Sequence, residues 1–175
     1  VIKSNKTKID SIDINWSSLP SNPNGIKILE KQILPKYLPK CRWFGGKSQE
    51  IEKIKIEQII TFPCNEKIVY FLLLHVQYKQ GLNELYNFPI AYCTSKEFGK
   101  ISSTNQHALV FELQQKMMIY DAVYCSYFRE SIYKSILSES ILATGDAKIN
   151  FTKSASLSEP TTSFSSRVLN AEQSN

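Results

Sequence analysis

Between positions 51 and 62 the chain reads IEKIKIEQIITF, with Ile54, Ile56, Ile60 and Phe62 on one alternation and Lys53, Lys55 and Glu57 on the other. Period two sends successive side chains to opposite faces, so this segment predicts a half-buried strand. KIVYFLLLHVQYK (67–79) is apolar on both alternations in its middle, which predicts a central strand covered on two sides. LYNFPIAYCTS (85–95) predicts a third, and Pro89 within it argues for an edge or a bulge because proline cannot donate to a ladder. HALVFEL (107–113) and KMMIYD (116–121) add shorter strand-like segments. Short polar links between consecutive strands favour antiparallel pairing, since parallel neighbours need a crossover.

Two stretches follow a helical period instead. From Ile26, apolar residues recur at Leu29, Ile33, Leu34, Tyr37 and Leu38, interrupted by Pro35, which is expected to open a second short helix, while Pro39 ends it. Tyr124, Phe128, Ile132 and Ile136 lie four apart and Leu137 and Ile141 extend the stripe, with Asp121 placed to cap the start and Gly145 to stop it. Such a stripe packs against a sheet. Residues 1–25 are rich in Lys, Ser, Asn and Pro and read as a linker or junction, and the Ser- and Thr-rich run after AKINFTK (147–153) marks a second boundary. RVLNA (167–171) reads as the start of new structure.

Composition narrows the function classes. A chain of 175 residues with 42% hydrophobic content, 9 Phe and 9 Tyr is long and apolar enough for a folded core. The net charge of +5 comes from scattered lysines rather than a basic stripe, which argues against nucleic acid. The longest apolar run, Ile68 to Leu74, is too short to span a membrane as a helix. Cys41, Cys64, Cys93 and Cys125 are far apart and form no C-x-x-C pair, and His75 and His107 are isolated in sequence, so neither zinc nor a disulfide framework is suggested, and a reduced cytoplasmic setting is expected.

The stretch RWFGGKS (42–48) ends like a phosphate-binding loop, since Gly46, Lys47 and Ser48 match the G-K-[ST] tail. The first glycine of such a loop falls at Cys41, and the preceding ILPKYLPK carries two prolines that a buried strand would reject. A turn is the better reading. In it Trp43 and Phe44 are expected to pack as anchors, Gly45 and Gly46 to permit the turn, and Arg42 and Lys47 to face outward or reach an adjoining lobe.

Taken together, ILPKYLPKCRWFGGKSQEIEKIKI (33–56), MMIYDAVYCSYFRESIYKSI (117–136) and LNAEQSN (169–175) resemble the N-terminal cap region of bacterial maltokinases and its passage into the kinase lobe. The resemblance runs from about Ile28 to Asn175, and its most specific part is the signature Arg42, Trp43, Phe44, Gly45, Gly46 and Lys47. It implies an α+β fold, a curved antiparallel sheet packed by a long helix and likened to cystatin, with short N-terminal helices. It divides the chain into a junction (1–25), the cap (26–153) and a linker with the start of the kinase N-lobe (154–175).

Maltokinases transfer the γ-phosphoryl group of ATP to maltose, giving maltose 1-phosphate and ADP. The lysine, aspartate and asparagine motifs that such transfer requires are missing from this sequence. The resemblance therefore implies a fragment without catalytic or metal-binding residues, with ATP and magnesium belonging to the parent enzyme. Only Gln173, Ser174 and Asn175 match the start of the family's ATP phosphate loop. Implied partners are the remaining kinase lobes and a fused or separate trehalose synthase, with no nucleic acid and no membrane. The alternatives are an independent cystatin-like interaction module and a small nucleotide-hydrolysing enzyme built on Lys47.

Overall fold

The computed structural model describes residues 16–103, 105–113, 117–145, 147–157 and 164–168. β1 (Ile51–Cys64) pairs antiparallel with β2 (Lys67–Tyr78) along almost its whole length, and the chain reverses between them through Asn65, whose φ of 55° suits its short polar side chain. β3 (Glu84–Thr94), β4 (Leu109–Glu112) and β5 (Met117–Asp121) complete a five-stranded antiparallel sheet in the order β1-β2-β3-β5-β4. With helices on the sheet the fold is α+β, as the sequence predicts. β2 is interior, as its two-sided apolar run required.

The alternation in 51–62 does not lie on one face. A bulge between Ile56 and Gln58 adds a residue to β1, and one extra residue exchanges the faces of everything beyond it. Ile54 and Ile56 join the layer beneath the N-terminal helices, whereas Ile60 and Phe62 belong to the opposite layer. Pro89 also needs correction, because β3 is not an edge strand. The ladder to β5 begins only at Ile90, so the half of β3 that carries Pro89 has β2 alone beside it. A missing N–H is tolerated there.

On the first face, α1 (Pro23–Ile28) starts where the Asn22 side chain accepts the Gly25 N–H at 3.0 Å. It continues without a gap through a π-helical turn (Leu29–Ile33), α2 (Leu34–Tyr37) and a 3-10 turn (Leu38–Lys40). Pro35 removes one donor and crowds the preceding turn, and the wider π turn absorbs both effects, so the helix changes its winding where a break was expected. Trp16 and Leu19, 8% and 0% exposed, belong to the same layer. The linker expected over 1–25 is thus part of the packed fold from Trp16 onward; residues 1–15 lie outside the described residues.

The opposite face is covered by α3 (Ser95–Ser102), α4 (Ser126–Leu137) and the hairpin of β6 (Ile141–Thr144) and β7 (Ala147–Asn150). Phe128 of α4 meets Phe71 and Phe62 at ring distances of 5.5 and 6.0 Å. The helix stops eight residues before Gly145. Glu139, at φ 48°, takes the left-handed position, and the Ser140 N–H to Ser135 carbonyl bond of 3.0 Å closes the end. Gly145, at φ +58°, instead turns the β6–β7 hairpin, and Ile141 is a strand residue. Asp121 caps the 3-10 turn Ala122–Tyr124 that precedes α4, accepting the Val123 N–H at 3.0 Å. α3 has no counterpart in the helical periods read above, and it starts at a capping box formed by Thr94 and Glu97.

Candidate functional site

The signature stretch stands where the N-terminal helical run meets β1. Cys41 leaves the helix in extended conformation, Arg42 and Trp43 form a turn, and Gly45–Ser48 makes a short 3-10 turn leading into the strand. Phe44 is the buried anchor at 2% exposure, while Trp43 is 37% exposed. The expectation that both rings are anchors holds for Phe44 and is corrected for Trp43. The Trp43 ring packs at a tilt against Phe88 and Tyr86, at centroid distances of 5.5 and 5.9 Å. Neither Gly45 nor Gly46 has positive φ. Gly46 is required for space, because a Cβ there would stand 2.0 Å from the Tyr78 hydroxyl oxygen.

Behind the turn, the Tyr78 hydroxyl donates to Glu84 Oε2 at 2.5 Å, and the Tyr86 hydroxyl donates to the same oxygen. These two bonds, Tyr78 first, hold the Glu84 carboxyl below its usual range. Arg42 and Lys47 are exposed, and the Lys47 ammonium donates to the Arg42 carbonyl at 3.1 Å. The candidate phosphate-loop lysine is therefore turned back on its own turn.

Asp121 is the chemical oddity of this region. It is 2% exposed, and burial raises its carboxyl to about 6; the Val123 N–H and the Trp43 indole act in the opposite direction. Tyr37 and Cys41 sit in its field, and burial above all pushes the Tyr37 hydroxyl up and the Cys41 thiol up to about 11. The structure thus joins the two segments that sequence singled out separately, the signature turn and the Tyr-Asp-Ala segment. Sequence placed Asp121 as a cap and gave no sign that its other neighbour is Trp43.

A second feature lies at the start of α4. Arg129 donates to the Val123 carbonyl at 2.7 Å and, from its other nitrogens, to the Ser166 hydroxyl and carbonyl at 3.2 and 3.0 Å. Phe164 packs edge-on against Tyr133 at 4.7 Å. Residues 164–168 thus form a strap along α4, bordering an open cleft of about 480 Å³ lined by Tyr124, Lys100, Arg129, Arg167 and Val168 among others.

The remaining candidates stay apart. His75 Nδ1 lies 3.3 Å from Glu57 on an exposed part of the sheet, and the four cysteines are buried free thiols. Among the described residues no three His, Cys, Asp or Glu side chains stand together in a way that could hold a metal ion, and no helix is long and apolar enough to cross a membrane. Gln173, Ser174 and Asn175 lie outside the described residues. Compared with protein-family models, the chain matches the maltokinase N-terminal cap domain over residues 37–124, half of its length, a span that opens at Tyr37 and closes at Tyr124 on either side of the Trp43–Asp121 contact.

Proposed function

Because this chain belongs to the maltokinase N-terminal cap domain family, we propose that it is a non-catalytic cap, serving a phosphoryl transfer that other lobes of its parent protein perform. In that transfer the anomeric hydroxyl oxygen of maltose attacks the γ-phosphorus of ATP. The bond to the bridging oxygen breaks, ADP departs, and the hydroxyl proton passes to a base. Magnesium and nucleotide need clustered oxygen ligands, and the described residues do not fit them: Asp121 is buried against Val123 and Trp43, and Glu84 is taken by two tyrosines. No step of the transfer is assigned to this chain.

The observation that carries the reading is the order of elements around Lys47. A phosphate loop leaves a strand and opens a helix, so that helix N-terminal N–H groups face the phosphates. Here the turn leaves a helix and opens a strand, with Gly46 closed against Tyr78. This opposes a nucleotide-hydrolysing enzyme built on Lys47 and supports a scaffold. In the longer parent, Gln173, Ser174 and Asn175 would begin the ATP phosphate loop, and the parent would act in the cytoplasm, with the kinase lobes and a trehalose synthase domain or subunit as partners.

Two measurements test the proposal. Calorimetric titration of the chain with ATP and magnesium is expected to give no saturable heat. Adding the chain to a maltokinase lobe expressed without its cap is expected to raise maltose 1-phosphate formation. Saturable nucleotide binding lost in Lys47→Ala would overturn it.

A further inference from the structure

The charge at the start of α4 is one-sided. Cys125 holds the N-cap position without a side-chain acceptor for the helix N–H groups behind it, and the first turn carries no acidic residue. The first charged side chain along the helix is the cation of Arg129, at the end where the helix dipole favours an anion. Lys100 and Arg167 line the same cleft of about 480 Å³. Among the described residues no carboxylate lines that cleft, and none of the three cations is in an ion pair. Glu130 approaches the strap, 3.4 Å from the Ser166 nitrogen, but does not line the cleft.

We infer that this cleft is a binding site for a phosphate monoester, carried on a sugar.

Arg129 is the fixed part of the site. Its three hydrogen bonds all go to neutral oxygens, the Val123 carbonyl and the hydroxyl and carbonyl of Ser166, so the guanidinium is held in place while its charge stays uncompensated. Further N–H donors of the planar fork remain for a ligand, and phosphate oxygens match that geometry. Lys100 at the end of α3 and Arg167 on the strap are exposed, so cations from three separate elements converge on one volume. A phosphate monoester brings about −1.5 to −2 charges near neutral pH and several acceptor oxygens, which complements that surplus.

Size and lining choose among anions. Inorganic phosphate is much smaller than the cleft, and the remaining wall combines the hydroxyl-bearing Tyr124 and Ser126 with the aliphatic Ile101 and Val168. That mixture suits a ring with hydroxyl groups on its edge and C–H groups on its faces. A nucleoside triphosphate arrives with magnesium, and the lining offers the metal no carboxylate among the described residues. A nucleic-acid backbone calls for cations repeated along a stripe rather than gathered in one cleft. Of the molecules in the transfer proposed above, maltose 1-phosphate alone joins a phosphate monoester to free sugar hydroxyls, so the cleft would let the cap sense its parent's product. That last step rests on the cap reading; the binding does not.

Calorimetric titration of the full chain with glucose 1-phosphate and with maltose 1-phosphate is expected to give saturable heat that weakens with added salt, with inorganic phosphate binding more weakly and maltose not at all. Lys100→Gln or Arg167→Gln is expected to lower the affinity at least about tenfold, whereas Lys53→Gln on β1 leaves it unchanged. Neither the Lys100 nor the Arg167 side chain makes a hydrogen bond among the described residues, so both variants keep the fold, which their unfolding midpoints check. Ser126→Asp places a carboxylate in the uncapped first turn; it is expected to raise the midpoint of the free chain and to abolish the sugar phosphate heat. Absence of saturable binding by either sugar phosphate, or binding that Lys100→Gln and Arg167→Gln leave intact, overturns the inference, while the cap reading is decided separately by the cap-less maltokinase lobe. Inorganic phosphate binding as tightly as the sugar phosphates, or tighter binding of ATP with magnesium, of single-stranded RNA or of phosphatidic acid vesicles, overturns it in favour of that ligand.

Discussion

Gly46 lies so close to the ring of Tyr78 that a Cβ at position 46 would stand 2.0 Å from the hydroxyl oxygen and 2.5 Å from the ring carbon that bears it. The hydroxyl is in turn committed to Glu84, so the turn, the end of β2 and the start of β3 are fitted to one another at this point.

Gly46→Ala is therefore expected to destabilise the fold by about 2 kcal/mol or more, through a displaced ring and a lost hydrogen bond to a carboxylate. Tyr78→Phe in the same chain should restore only part of that loss, because ring carbons as well as the oxygen are too close. Gly45→Ala meets the Tyr86 hydroxyl at 3.3 Å and Glu84 Oε1 at an ordinary 3.9 Å, and should cost much less. Urea midpoints of the three variants check the order.

Phe44 and Trp43 are adjacent yet unequal. Phe44→Ala empties a site that is 2% exposed and is expected to cost about 3–5 kcal/mol, in the range for buried aromatic truncation. Trp43→Ala removes a ring that is 37% exposed and should cost about 1–2 kcal/mol less than that. Equal losses in chemical denaturation would contradict the placement of the two rings.

Asp121 makes stability depend on pH in an unusual direction. Its carboxyl is raised by burial from 3.8 to about 6 in the folded chain. Its contribution is fully present below about pH 4 and is lost as pH rises through about 6, an effect on the order of 3 kcal/mol. Asp121→Asn should flatten this part of the profile, because the opposite slope of Glu97, which Lys67 and Thr94 lower to about 2, lies at more acid pH. Guanidinium unfolding of both proteins between pH 4 and 7 gives the comparison.

Glu30, carried on the π-helical turn, accepts the Ile56 N–H at 2.8 Å beside the bulge of β1. β1 ends the sheet order, and an exposed edge donor invites pairing with another chain. Glu30→Ala should cost about 1 kcal/mol and increase aggregation, whereas Glu30→Gln keeps the acceptor and should behave like the parent chain. Light scattering during thermal unfolding distinguishes them.

Much of the sheet was legible because period two is a local property. The strand positions, their antiparallel sense and the interior place of β2 follow from alternation and short links in 51–121. The bulge at Glu57 was not legible, since one inserted residue leaves the alternation looking continuous while reversing the faces. The end of α4 is not legible for a related reason. Glycine is the cheap residue for a left-handed stop, but here Glu139 takes that conformation and Gly145 serves a hairpin. The Thr94–Glu97 capping box that starts α3 is legible in the sequence, since both residues are local to the helix start.

At the candidate site the residue types in RWFGGKS and the aspartate of the Tyr-Asp-Ala segment were determined by sequence alone, because each motif is contiguous. Their meeting was decided by tertiary structure. Which of two neighbouring rings is buried, which glycine faces a tyrosine and which indole reaches a carboxylate depend on groups brought together from distant strands. Periodicity reports the face a side chain takes on its own element, and packing alone determines what stands opposite.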